Sequence, residues 1–371
     1  MIFLKRIYAA ILLCVLMLVQ AAGCKPKDDE PLSITPVPPV VTTPTTSTPT
    51  TVLTESTEPS VIPVPSGTNF LTGLPVDESF DGKRPVAIMY NNLKPALPMS
   101  GISEADIIFE ALAEGGITRM VGVFVDPFGL TGIGSVRSTR SYYLDLALSL
   151  DAILVHAGGS PQAYNEIPAR GVTNIDFTRG WNSYQWRDKA RMNRGVSSEH
   201  CLFTSGKGIQ EIIAKAPLRY ELKDGYTIPF EFTGDVLSSG TAAQKITLKY
   251  SDYKTGVFEY DADKKAYLVS QYGKPFVDGN GDVRVSVTNV LVLSAEVAMI
   301  KGDSAGRITT KLTGTGIGWY SSGGKAVKIT WSRKDGSSPF VFKLEDGSAL
   351  KLTRGKTYIN IFPSGNTPSF E

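Results

Sequence analysis

Residues 114–160 read EGGITRMVGVFVDPFGLTGIGSVRSTRSYYLDLALSLDAILVHAGGS. Glu114-Gly115-Gly116 separates two apolar runs, residues 107–113 and 119–125, which is the signature of a β-hairpin. Asp126-Pro127-Phe128-Gly129 ends the second strand. Ser138 is placed to cap a helix over residues 139–150, where Tyr143, Leu146, Ala147 and Leu150 recur at the three- and four-residue spacing of a buried face. Residues 152–156 form the next apolar run, and Gly158-Gly159 the turn after it. Ser160-Pro161 is a second helix start, with proline at the first helical position, where its missing N–H costs nothing. Strand, turn and helix repeated in this way predict an α/β layered domain with a mixed sheet.

Upstream, Arg84-Pro85 leads into residues 86–90, an apolar run closed by Asn91-Asn92 that reads as a buried strand. Residues 94–100 hold two prolines and form a loop. Ser103 with Asp106 allows one helical turn at most. Downstream, residues 180–194 are aromatic and basic without a clean period, and read as a long surface loop. Residues 200–203 predict a strand. Ser205 then caps a helix over residues 206–216, with Ile209, Ile212 and Ile213 as its apolar stripe.

Beyond Pro217 the pattern changes. Ten short runs, at 228–232, 245–250, 257–260, 266–270, 283–287, 290–293, 308–312, 326–331, 340–344 and 357–362, look like strands between Gly- and Asp-rich turns. The expectation is α+β overall: an α/β domain over residues 67–221, then a mostly antiparallel β domain over residues 222–371.

The amino terminus sets the compartment. Lys5 and Arg6 precede an apolar run over residues 7–19, which as a helix spans ~20 Å, short of the ~30 Å hydrocarbon core. A signal peptide over residues 1–23 fits better than a permanent span. Ala21-Ala22-Gly23-Cys24 resembles a bacterial lipobox, with Ala21 where Leu is more usual. That resemblance implies lipidation of Cys24 and an anchor on the extracytoplasmic face of the cell membrane. Residues 24–66 are rich in Pro, Thr and Ser and predict a disordered stalk, reaching up to roughly 120 Å if extended.

A net charge of +2 on 371 residues, with both signs interspersed, argues against a nucleic-acid surface. Three cysteines, one leaving with the signal and one lipidated, leave Cys201 alone, so no internal disulfide forms in the mature chain. Cys201 beside His200 on a strand would face the other way, which favours a buried structural thiol over a nucleophile.

Helix starts offer free N–H groups, and guanidinium forks match carboxylate or phosphate oxygens two at a time. Arg119, Arg137, Ser138, Arg140, His156, Ser160, Arg191 and His200 are therefore the candidate ligand-binding set for an anion. The competing reading is a structural network in which these arginines pair with a local acid, Asp126, Asp145 or Asp151. His156 and His200 lack the third and fourth ligands a metal needs, so no metal site and no bound zinc are expected. Asp278, Asn280 and Asp282 imitate the start of a calcium loop, but its twelfth position is Asn289 rather than Glu. A tight hairpin is expected there, with weak calcium binding as the alternative. Gly314-Thr315-Gly316-Ile317-Gly318 lies between β segments and does not read as a dinucleotide loop.

Four motifs, residues 84–92 (RPVAIMYNN), 114–119 (EGGITR), 135–143 (SVRSTRSYY) and 155–160 (VHAGGS), resemble the YerB family of bacterial lipoproteins, and the likeness continues through residues 288–290 and 354–358. The resemblance implies a two-domain extracytoplasmic lipoprotein and supplies no catalytic residue. The order of hairpin, Arg-bearing turn and Gly-Gly strand end is also similar to the LytR–CpsA–Psr phosphotransferases. In that family an Arg-Asp pair would fall on Arg137-Ser138, so the acid is missing here. The leading expectation is a wall-facing, lipid-anchored protein that binds an anionic envelope glycan or phosphate ligand, or a partner protein, rather than an enzyme. The alternative is a Mg²⁺-dependent phosphotransferase acting on a polyprenyl-pyrophosphate-linked wall polymer.

Overall fold

The computed structural model describes residues 64–371. The signal peptide, Cys24 and the stalk up to residue 63 lie outside the described residues. Residues 64–66, assigned to the stalk by sequence, already pack: Val64 lies against the core and Ser66 donates to Asp81.

Strand β1 (Val86–Asn91) is buried along its whole length, as its unbroken apolar run requires. It lies between two neighbours. Antiparallel β3 (Thr118–Phe124) pairs Val86 with Phe124, and parallel β4 (Ile153–His156) pairs Val86 with Ile153. Strand β2 (Ile107–Leu112) forms the expected hairpin with β3. Gly115 and Gly116 in its turn have φ of 68° and 74°, a left-handed region open to glycine and costly for most other residues. Helix α1 (Ser141–Leu148) precedes β4. Helix α2 (Pro161–Ala169) then carries the chain to β5 (Asn174–Asp176), parallel to β4.

Two local expectations are corrected here. Helix α1 begins at Ser141 with Arg140 in the cap position and no side-chain cap; Ser138 instead donates to the carbonyl of Ala157. Residues 180–194 are not one loop: they hold a strand at Gln185–Arg187 and a short helix, α3 (Lys189–Asn193). The strand after them covers Leu202–Thr204, leaving His200 on a 3-10 turn. Ser205 does cap α4 (Gly206–Lys215) by accepting from Gly208 N.

The sheet continues into the second half of the chain. Its strands there are β6 (Thr241–Ala242), β7 (Asn289–Ala295), β8 (Gly314–Ser322), β9 (Lys325–Arg333) and β10 (Thr357–Pro363). The order is β6-β9-β8-β7-β10-β2-β3-β1-β4-β5, with Val341–Leu344 paired onto β9. Strand β10 is parallel to both β7 and β2, so it joins the region before residue 221 to the region after it. Strand β8 has no counterpart among the ten sequence runs, because glycine breaks its apolar pattern. A Cβ on Gly316 would lie 2.4 Å from the Trp331 ring, and one on Gly318 2.7 Å from the Val292 carbonyl, so these glycines admit a large ring and a close strand.

Alternate side chains along this sheet face two cores. Ala87, Met89, Phe109, Leu291 and Ile359 pack with α1 on one face. Val86, Ile88, Val290, Val292 and Tyr358 pack on the other with α4 and a second, six-stranded sheet built around Lys245–Lys249, Thr255–Asp261 and Ala266–Gln271. Each such fully buried aliphatic or aromatic side chain contributes roughly 1.5–3 kcal/mol.

One buried polar cluster crosses the second core. Lys254 Nζ lies 3.0 Å from Glu110 Oε1 and donates to Gln271 at 2.6 Å. Glu110 also accepts from Asn92 at 3.0 Å, Thr118 at 2.5 Å and Tyr358 at 2.6 Å. Burial pushes the Lys254 pKa down, opposed by the carboxylate of Glu110.

Candidate functional site

The carboxyl ends of β1 and β4 and the start of β3 meet at one edge of the sheet. Arg119, on β3, is directly opposite Asn91, the last residue of β1. The extended segment 135–139 crosses this edge: Arg137 N donates to Met89 O, Ala157 N to Arg137 O, and Thr139 N to Gly158 O. That crossing places Arg137, Ser138 and Arg140 above the strand ends and sets the starts of α1 and α2 side by side.

Arg119 is buried, at 4 % exposure. Its Nη1 donates to Ser138 O at 2.9 Å, its Nη2 is 3.5 Å from Glu114, and its Nε has no partner. Burial, and then the nearby charge of Arg140, lower its pKa. Glu114 also receives Arg140, through Nε and, at 3.0 Å, Nη2. Burial works against ionisation of Glu114, but the Arg140 hydrogen bond and both guanidinium charges outweigh it and hold the carboxyl below its ordinary range. One carboxylate thus serves two arginines.

Arg137 pairs at 2.9 Å with Glu199, whose side chain is half exposed. The charge of Arg137 lowers the Glu199 pKa. His200 lies 3.5 Å from Glu199 and shares a 2.7 Å hydrogen bond with Asn91. Burial, followed by the Arg137 charge, holds His200 below the ordinary histidine value.

Arg119, Arg137, Ser138, Arg140 and His200 therefore form one linked network. Ser160 adjoins it through Thr139, but its hydroxyl is committed to capping α2. His156 is fully buried beneath, with its nitrogens on Gly158 O at 2.8 Å and Asn174 Oδ1 at 3.1 Å. Arg191 lies outside the network: it donates to the carbonyls of Ala96 and Pro98 and pairs with Asp188 at 3.1 Å. The acids that pair with the arginines are Glu114 and Glu199. Asp145 instead holds Arg170, and Asp151 holds Arg219 and Arg84. The signal for Glu114 was its place in the hairpin turn; Glu199 had none, since it is remote in sequence from Arg137.

Arg84 shows what a purely structural arginine looks like in this fold. It is as buried as Arg119, yet its three nitrogens donate to Asp151 O, Thr173 Oγ1, Arg219 O and Ala152 O.

Other sequence candidates are accounted for. Asp278 accepts from the backbone of Gly101, Ser103 and Asn280, which caps a turn, and Asn280 donates to Gly132 O. Cys201 is buried, which pushes its thiol pKa up. Among the described residues no group of three His, Cys, Asp or Glu side chains is placed to hold a metal. A groove of ≈ 980 Å³ lies elsewhere and is floored by Phe230, Phe340, Phe342 and Leu350. Its buried Arg333 donates to the carbonyls of Ser338, Asp145 and Gly336 and is thereby committed to the fold. For an ionic ligand the strand-end network is the better candidate.

Comparison with known proteins bears on the whole chain. Residues 71–220 match the family described as protein of unknown function (DUF3048), N-terminal domain, and residues 246–359 match its C-terminal domain. The Bacillus subtilis (strain 168) protein named "Putative lipoprotein YerB" is 32 % identical over 299 residues, covering 79 % of this chain and 85 % of that protein. This chain belongs to the YerB-like DUF3048 family. The fold agrees: the crystal structure of YerB from Bacillus subtilis superposes with a TM-score of 0.72 at 27 % identity, covering 82 % of this chain and 99 % of that one. The α+β class and the two-part architecture read from the sequence hold for this family member.

Proposed function

We propose that this YerB-like protein is a lipid-anchored binding protein that receives an anionic group of the cell envelope, a phosphate or uronate, at the strand-end network. One observation carries the reading: Arg119, Arg137 and Arg140 outnumber Glu114 and Glu199, and the buried Nε of Arg119 has no acceptor. That Nε is sealed from solvent, so an incoming oxyanion would meet Arg137, whose side chain is 22 % exposed. The half-exposed Glu199 carboxylate occupies the outer fork of Arg137, the position an incoming oxyanion would take. Cys24 would hold the protein to the membrane.

The test is binding of a uronate or polyol-phosphate polymer to the full chain, followed by Arg137→Gln. Loss of binding with a nearly unchanged thermal midpoint supports the reading. Binding by wild type and variant alike overturns it. A second reading, a partner protein, is favoured by the apolar groove floored by Phe230, Phe340 and Phe342. Phe340→Ser should then abolish capture of a specific envelope protein while leaving polymer binding intact.

A further inference from the structure

We propose that Lys254 and Gln271 join in an intramolecular isopeptide bond, with Glu110 as the proton carrier. The proposal stands apart from the strand-end network and gives the buried polar cluster a covalent product.

Lys254 directly precedes the strand Thr255–Asp261, and Gln271 ends its antiparallel neighbour Ala266–Gln271, opposite Gly256. With Glu110 of β2, the two side chains are shut off from solvent. Lys254 Nζ donates to Gln271 Oε1 at 2.6 Å and lies 3.0 Å from Glu110 Oε1. A carbonyl bond of ~1.23 Å then puts the Gln271 amide carbon, Cδ, no more than ~3.8 Å from Nζ. Aligned groups react from about 3–3.5 Å, so a small shift completes the approach. Gln271 Nε2 is buried and has no partner. An amide kept for structure has its N–H groups satisfied, whereas a leaving nitrogen must be unheld. The Tyr272 ring lies 5.4 Å from Nζ, and Tyr358 donates to the second oxygen of Glu110. Burial lowers the Lys254 pKa, which favours the neutral amine a nucleophile requires.

The Lys254–Glu110 ion pair is the reactant. Burial disfavours both charges, so a proton passes from Nζ to the Glu110 carboxylate. The freed lone pair of Nζ attacks Cδ of Gln271, and the Nζ–Cδ bond forms. Glu110 hands its proton to Nε2 and takes a second one from Nζ; the Cδ–Nε2 bond breaks, and ammonia leaves. Nζ keeps one hydrogen as an amide, Glu110 ends as the neutral acid, and nothing is oxidised or reduced. Exclusion of water keeps hydrolysis from competing. The product fastens the open end of the hairpin, since its turn lies at the other end, beyond the Asp261–Ala266 pair. Such a staple restricts the unfolded chain as a disulfide does. The only cysteine among the described residues, Cys201, is free.

The test is a tryptic digest of the full chain, folded and then denatured, read by mass spectrometry. Expected is a branched peptide joining residues 250–264 to residues 266–284, lighter by one ammonia than the two peptides together and uncut after Lys254. Lys254→Arg, which keeps the cation, should lose it entirely, as should Gln271→Leu. Glu110→Gln should lose most of it. The wild-type digest decides by itself, so a variant that fails to fold does not shield the proposal. Linear peptides alone, cut after Lys254, overturn it. Gln271 recovered as glutamate without branching also overturns it, because water and not Nζ has then reached Cδ. A branched peptide formed equally in folded Glu110→Gln overturns the part given to Glu110.

Discussion

Two charge clusters are built on the same hairpin, and they are treated oppositely. Glu110, in the middle of β2, faces one lysine and three neutral donors in a sealed core, and its charge is balanced by Lys254. Glu114, in the turn that follows, faces two arginines at the sheet edge, and the Arg119 Nε beside it finds no acceptor. The first cluster meets the demands of burial, pairing every charge where water is excluded. The second sets three arginines against two carboxylates, and its partly exposed member, Arg137, is the one that solvent, or a ligand, can reach. Local balance of charge, more than depth of burial, separates a structural network from a candidate site here.

Breaking the buried pair should have the largest effect. Lys254→Met leaves the buried Glu110 without its counterion, a loss of about 3–5 kcal/mol in chemical denaturation. The double variant K254M/E110Q should lose less than the two single variants added together, because neither charge is stranded. If Lys254→Met is neutral, the two clusters do not differ as described.

At the edge, stability and binding should separate. Arg137→Gln removes a partly exposed pair, which costs at most about 1 kcal/mol, yet should weaken polyanion binding at least tenfold. Glu199→Gln is the converse: with the internal carboxylate neutral, affinity should rise about threefold, the equivalent of ~0.7 kcal/mol. A drop in affinity on Glu199→Gln would show that Glu199 orients Arg137 and does not compete for it.

The smallest effect is on pH dependence. His200 has a folded pKa below its unfolded value, so its contribution to stability is complete above about pH 6.5 and is lost as pH falls through the lower folded value. Protonation adds a positive charge beside Arg137, so polyanion affinity should rise over that same interval as stability falls. His200→Asn should flatten both trends between neutral pH and the onset of carboxylate titration.

Much of the scaffold was legible from local rules. Continuous apolar runs marked β1 to β4, Gly115-Gly116 marked the hairpin turn, and Ser160 and Ser205 marked two helix starts by their side-chain caps. Where those rules failed, a tertiary contact had replaced the local one. Ser138 had the composition of a cap, but its hydroxyl is drawn to Ala157 O because segment 135–139 crosses the strand ends. Strand β8 was hidden because Gly316 and Gly318 answer to Trp331 and Val292 on other strands. The arginines of the site could be listed from sequence, but not their counterions, since Glu199 reaches Arg137 only through folding. Nor did the strand pattern beyond Pro217 carry the information that β7 to β10 extend the sheet begun by β1.

That last strand has a consequence for biogenesis. Thr357 pairs with Ile107 and with Asn289, so β10 is the seam along which both halves of the sheet are stitched. A chain emerging amino terminus first displays the edges of β2 and β7 with nothing between them until residues 357–363 are released. Those open edges are sites where another nascent chain can add a strand. Truncation just before residue 357 should therefore yield aggregates instead of a smaller folded unit.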